Sequence, residues 1–249
     1  MKPPDRSQCP PRRNGKGEED EDTQKFKPCR RYGLFAADSD PNKLQKRLSD
    51  EDGKYLDGYY ASICEYSEIC KHCGGRPAHI DTVIIAVDGA CRGNGSLKPE
   101  ASYGVFVKEK SLLNISSRIP DSEDAPPPTN QIIELWAAYF GIKTAIRLKE
   151  SVGKKLSLVV IKADSEYVVK GMTDWIGKWK NNGWKTAKGG PVTNRDMFEI
   201  LQTAVDFAAR RGVKIEFWHV RREFNQEADE LANLAFDNSF SAELRKTLI

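Results

Sequence analysis

Asp88, Glu134, Asp164 and Asp229 stand where the chain passes between strand-like and helix-like sequence, or in the early turns of helices. Singly, each has an ordinary structural use: an Asp after a strand forms a turn or caps a helix, and a Glu near a helix start is favoured by the helix dipole. Gathered at one sheet edge, the four would repel one another unless a divalent cation neutralised them. Oxygen-only ligands select Mg²⁺ or Mn²⁺ over zinc. Two such ions about 4 Å apart can activate a water and stabilise the leaving oxygen of a phosphodiester.

The elements that must position these acids follow from the hydrophobic pattern. Residues 82–87 form an unbroken apolar and β-branched run that stops at Asp88-Gly89, which predicts a strand buried on both faces with a polar end. Residues 157–163 repeat that pattern and stop at Asp164. Between them, 103–107 and 112–118 read as antiparallel strands, the proline-rich 120–128 as a loop, and 130–149 as a long helix carrying Glu134. Helices over 165–170, 194–211 and 225–236, with a strand over 213–220, complete the order. The expectation is an α/β fold whose five-stranded mixed sheet is flanked by helices.

Composition narrows the class. The 249 residues allow one catalytic-sized domain with an appendage, and no apolar run approaches the roughly 20 residues of a bilayer-spanning helix. A formal net charge of +3 leaves nucleic-acid binding to local charge patterns. Residues 1–17 lack a secretory apolar core and 18–22 are acidic, which argues for a cytoplasmic or nuclear protein that is not secreted. Residues 1–30 are polar and proline-rich enough to predict a disordered tail, 238–249 a C-terminal tail, and 31–79 a small accessory segment with helical stretches at 42–48 and 55–64.

Four motifs in order then converge: Asp88-Gly89-Ala90-Cys91-Arg92-Gly93-Asn94-Gly95, Thr129-Asn130-Gln131 leading to Glu134, Asp164-Ser165-Glu166-Tyr167-Val168, and Asn225-Gln226-Glu227-Ala228-Asp229. Together, over about residues 80–237, they resemble a type 1 ribonuclease H. The resemblance implies the ribonuclease H-like fold and a monomeric, metal-dependent endonuclease that hydrolyses the RNA strand of RNA/DNA hybrids, leaving 5′-phosphate and 3′-hydroxyl ends. It implies two Mg²⁺ ions, replaceable by Mn²⁺, on Asp88, Glu134, Asp164 and Asp229. His219, ten residues before Asp229, matches a histidine that assists turnover or product departure. The family's cellular enzymes usually surround that histidine with glycines. His219-Val220-Arg221-Arg222-Glu223-Phe224 instead resembles a plant- and retroelement-like branch.

By the same resemblance, Cys91, Gly93, Asn94, Asn130 and Gln131 match positions that touch RNA. Thr129 and Asn194 match a pocket for a DNA phosphate, at which Pro127 replaces a frequent arginine. The stretch 175–186, with Trp175, Lys178, Trp179, Lys180, Trp184 and Lys185, resembles a basic protrusion that grips the DNA strand. Its composition alone is consistent with that role, because cations attract phosphates while aromatic rings meet sugars or bases. The other reading is a core one: Trp175 and Trp179 are four residues apart and share a helical face, so at least one tryptophan is expected to be structural.

Cys64, Cys70, Cys73 and His79 are spaced C-x5-C-x2-C-x5-H, with His72 an alternative, and fit either a tetrahedral structural zinc site or unligated thiols. A non-catalytic protein that binds RNA/DNA hybrids or double-stranded RNA while keeping this fold is the other reading of the whole chain. Retention of all four carboxylates favours the enzyme.

Overall fold

The computed structural model describes residues 41–49, 56–63, 78–93, 99–120 and 128–237. The tails expected at 1–30 and 238–249, most of the proline-rich loop including Pro127, and Asn94 with Gly95 lie outside them, as do Cys64, Cys70, His72 and Cys73. The core strands are β3 (Thr82–Arg92), β4 (Glu100–Phe106), β5 (Ile115–Arg118), β6 (Leu158–Ala163) and β7 (Lys214–His219). They lie in the order β5-β4-β3-β6-β7. Consecutive β3, β4 and β5 are antiparallel, whereas β3, β6 and β7 run parallel through helical crossovers. The acid-bearing ends of β3 and β6 therefore point the same way.

Period-two alternation splits the central strands between two cores. Val83, Ile85 and Val87 of β3 and Val159 and Ile161 of β6 face α1 (Asn130–Val152) and α4 (Arg195–Arg210). Ile84, Leu158, Val160 and Trp218 form the opposite face. Helix α5 (Gln226–Leu234) crosses that opposite face where β4 carries Gly104. A Cβ at Gly104 would lie 2.3 Å from the Ala228 carbonyl oxygen and 2.6 Å from the Ala232 nitrogen, so only glycine lets α5 settle there.

The sheet is larger than expected. In place of helices at 42–48 and 55–64, the chain makes a 3₁₀ turn at Pro41–Lys43 and two short strands, β1 (Gln45–Arg47) and β2 (Tyr60–Ser62). These pair antiparallel with each other, and Tyr60 pairs with Ile84 on the flank of β3 that β4 leaves open before Ala86. An open strand edge offers backbone partners that a three-residue segment cannot advertise in its own sequence. Leu44 packs onto Ile84 and Val160, while Leu48 and Tyr59 join the α1 side. The five-stranded core thus becomes seven-stranded, and residues near 45 and 60 belong to its sheet.

Beyond β6, α2 (Glu166–Lys170) runs through a π-helical turn at Gly171–Trp175 into α3 (Ile176–Asn181). Replacing Gly104 by Ala is expected to force α5 off the sheet and lower stability by about 1–3 kcal/mol. Urea denaturation measures this, and an unchanged midpoint would contradict the close approach.

Candidate active site

Extending the β3/β6 register by two residues from Ala86↔Lys162 sets Asp88 opposite Asp164. Asp88 is 8% exposed, so two acids stand next to each other at the ends of the parallel strands with one of them nearly out of water. Burial, then the charge of Asp164 and its hydrogen bond, then the charge of Asp229, push Asp88 up to about 8, and Arg222 opposes the shift.

Glu134 arrives from the other face of the sheet. Its helix is capped by Thr129, whose hydroxyl accepts from the Ile132 N–H at 3.4 Å. It can approach because Gly89, next to Asp88, has no Cβ: one built there would lie 2.7 Å from the Glu134 nitrogen. The Glu134 carboxylate accepts from the Ser165 hydroxyl. Burial raises its pKa, the Ser165 bond lowers it, and the charge of Asp164 raises it.

Asp229 comes from α5. Arg222 Nη2 donates to Asp229 Oδ1 at 2.5 Å, and Asn233 Nδ2 to Oδ2 at 3.1 Å. The Asp229 bond raises the pKa of Arg222, and Asp88 and Asp164 add to the shift. A single guanidinium thus lies in the field of the acids. His219, exposed at the end of β7, places Nε2 3.2 Å from the Asp164 carbonyl oxygen, to which it donates in the tautomer protonated there.

Asn225 ties these elements together. Fully buried, its Nδ2 donates to the Val87 carbonyl at 2.9 Å and lies 3.4 Å from Asp164 Oδ1. Its own carbonyl accepts from the Asp229 N–H. The sequence displayed Asn225 and Arg222 inside motifs without revealing these roles. The only signal was their spacing, four and seven residues before Asp229.

All four acids supply oxygen, which suits a hard divalent cation. Among the described residues, however, no three acidic or histidine side chains are already arranged as a ligand set. Glu134 is turned onto Ser165 and Asp229 onto Arg222. A cation would draw both away from these partners.

The matched nucleic-acid positions fall at several places around the acids. Cys91 lies on β3 with its Sγ 3.7 Å from the Pro128 carbonyl oxygen, and Gly93 makes the left-handed turn (φ +68°) that ends the strand. Asn130 and Gln131 are exposed at the head of α1. Lys178, Lys180 and Lys185 are exposed, with Lys185 held by a reciprocal pair of hydrogen bonds to Asn182.

The tryptophans divide. Trp179 and Trp184 are each 9% exposed and Trp175 is half-buried. Their rings run Trp175, Trp179, Trp184 at 5.6 and 6.0 Å, and Trp179 lies 5.0 Å edge-on to Phe198. Trp179 and Trp184 therefore pack into the core beside the exposed lysines. His79 is buried beside the Ile63↔Ala78 bridge, its backbone N–H donating to the Ser62 carbonyl. The three cysteines spaced with it lie outside the described residues.

A mixed sheet that delivers carboxylates from both faces to one edge defines a class of protein. The RNase H family model matches residues 81–237, and the chain belongs to that family. It is 33% identical over 156 residues to human Ribonuclease H1, a match covering 61% of this chain and 49% of that protein, so the chain spans about half the length of that relative. It is 34% identical over 157 residues to Ribonuclease H of Clostridium botulinum, covering 62% and 95% of the two chains. The crystal structure of LC11-RNase H1 in complex with RNA/DNA hybrid aligns with a TM-score of 0.44 at 26% identity, covering 63% of this chain and 98% of that one.

Because the folded, metal-free protein keeps a proton on Asp88 that the unfolded chain gives up near its ordinary value of 3.8, its stability falls as pH rises from about 4 to about 8. Asp88→Asn is expected to flatten that decline and to stabilise the EDTA-treated protein at pH 8 by about 1 kcal/mol or more. Thermal unfolding across pH checks this, and parallel pH profiles for the two proteins would contradict it.

Proposed function

We propose that this chain is a metal-dependent endonuclease that hydrolyses the RNA strand of RNA/DNA hybrids, leaving 5′-phosphate and 3′-hydroxyl ends. The observation that carries the reading is the juxtaposition of Asp88 and Asp164 at the ends of parallel β3 and β6, with Asp229 arriving on α5 and Glu134 on α1 from the two faces of the sheet. Membership of the RNase H family and likeness to proteins named Ribonuclease H support it. Asp88, Glu134, Asp164 and Asp229 would hold two Mg²⁺ or Mn²⁺ ions, which supply activation of the attacking water and charge stabilisation of the leaving oxygen.

The protein's own groups do the rest. Asp88, held by burial and neighbouring acids well above its ordinary pKa, would give up its proton when a cation binds. His219, exposed beside Asp164, would hand a proton to the departing strand. Lys178, Lys180 and Lys185 attract the phosphates of the DNA strand, while Cys91, Gly93, Asn94, Asn130 and Gln131 meet the RNA, whose 2′-hydroxyls both donate and accept hydrogen bonds. The reading takes the protein as a monomer. A structural zinc on Cys64, Cys70, Cys73 and His79 is an accessory part of it, supported by spacing alone.

An end-labelled RNA strand offered in a hybrid, in an RNA duplex and alone, with Mg²⁺, Mn²⁺ or EDTA, tests the proposal. Cutting is expected in the hybrid only, with either metal, and Asp229→Asn should slow it by about two orders of magnitude or more. Tight hybrid binding without cutting would instead establish the non-catalytic binder.

A further inference from the structure

Asn194 heads α4, a position at which asparagine ordinarily turns its side chain back to accept from the first free N–H groups of the helix. Here it does not. Its backbone is left-handed (φ +57°), its carbonyl receives the Met197 and Phe198 N–H groups, and its side chain makes no capping bond. Instead Asn194 Nδ2 donates to the Tyr167 hydroxyl at 3.3 Å, and that hydroxyl donates to the Thr193 carbonyl at 3.1 Å. One phenol therefore holds both the amide and the peptide that precedes it.

Tyr167 is itself firmly placed. Its ring lies edge-on to Phe198 at 5.4 Å and to Trp175 at 6.2 Å. Its backbone belongs to the turn that starts at Asp164, where Ser165 caps α2 by accepting from the Val168 N–H at 3.3 Å and also bonds Glu134. Within four residues this turn carries an acid of the candidate metal site, a serine that orients a second acid, and the tyrosine that holds Asn194.

We infer that Tyr167 is a positioning residue that fixes Asn194 relative to the carboxylates, and so sets which RNA phosphate is cut for a given DNA phosphate held. The inference rests on the reading that Asn194 contacts the DNA backbone. A neutral amide binds a phosphate oxygen only along its N–H directions, and with one N–H of Nδ2 engaged by Tyr167 the other is aimed at one place. The two strands of a hybrid are fixed relative to each other by base pairing. A rigid grip on one strand therefore selects one bond of the other, whereas an amide free to rotate accepts several offsets.

The test uses the full chain and a hybrid whose DNA strand carries a single neutral methylphosphonate at successive positions, cleaved by the wild-type protein, Tyr167→Phe, Asn194→Ala and the double variant. In the wild type, one DNA position at a constant offset from each cut is expected to raise KM. Tyr167→Phe should spread that sensitivity over neighbouring positions and raise KM for the unmodified hybrid about three- to tenfold, with the loss falling on KM rather than kcat. Adding it to Asn194→Ala should cost nothing further. A sharp single position and unchanged KM in Tyr167→Phe would overturn the inference. So would additive losses in the double variant, or a fall in kcat and thermal stability with the offset intact. If the wild type shows no sensitive DNA position, the assignment of Asn194 to the DNA backbone fails, and the tether's role fails with it.

Discussion

Two carboxylates set side by side at the ends of parallel strands, one of them nearly out of water, are the constraint around which this molecule is arranged. At an effective dielectric of about 20, two unit charges about 4 Å apart repel by about 4 kcal/mol. That is a large fraction of the stability of an ordinary domain. The protein keeps Asp88 and Asp164 together by holding the Asp88 carboxyl well above its ordinary pKa and by surrounding the pair with groups that favour negative charge. Arg222 lends a guanidinium to Asp229, Ser165 a hydroxyl to Glu134, and Asn225 an amide directed at Asp164. Each relieves part of the repulsion, and none matches the charge that a pair of divalent cations would bring.

The rest of the fold follows from delivering acids to one place from opposite sides of a sheet. Parallel β3 and β6 fix the register of Asp88 and Asp164, and their doubly buried, β-branched sequence makes that register hard to slip. Gly89 and Gly104 allow α1 and α5 to press against the two faces, which is what brings Glu134 and Asp229 within range. The hairpin of β1 and β2 supports the same strand from its flank, so an extension of the chain reinforces the element that carries Asp88.

The central strands were legible because burial on both faces demands an uninterrupted apolar run, and their terminal acids because four motifs follow one another in order, not because any one aspartate was distinctive. The long helix and α4 were legible for the corresponding helical reason. The strands β1 and β2 were not, since three residues carry too little pattern and their pairing depends on an edge more than 20 residues away in sequence. Asn225, Arg222 and Tyr167 sat in view within motifs. Asn225 bonds Val87 and Asp164, Arg222 bonds Asp229 and Tyr167 bonds Asn194, and only the folded chain shows these pairings. Trp179 was ambiguous because an aromatic ring among lysines suits a nucleic-acid face and a core equally well, and its ring packs edge-on to Phe198.

The central claim is that the fold holds Asp88, crowded by neighbouring acids, in a protonated state that a divalent cation resolves. Calorimetric titration of the metal-free protein with Mg²⁺ at pH 7, in buffers of differing ionisation enthalpy, counts the protons released on binding. About one proton should leave per protein, because Asp88 with a pKa of about 8 is mostly protonated before the cation arrives, and Asp88→Asn should abolish the release. Mg²⁺ binding with no proton released, or the same release from the Asp88→Asn protein, would contradict the account.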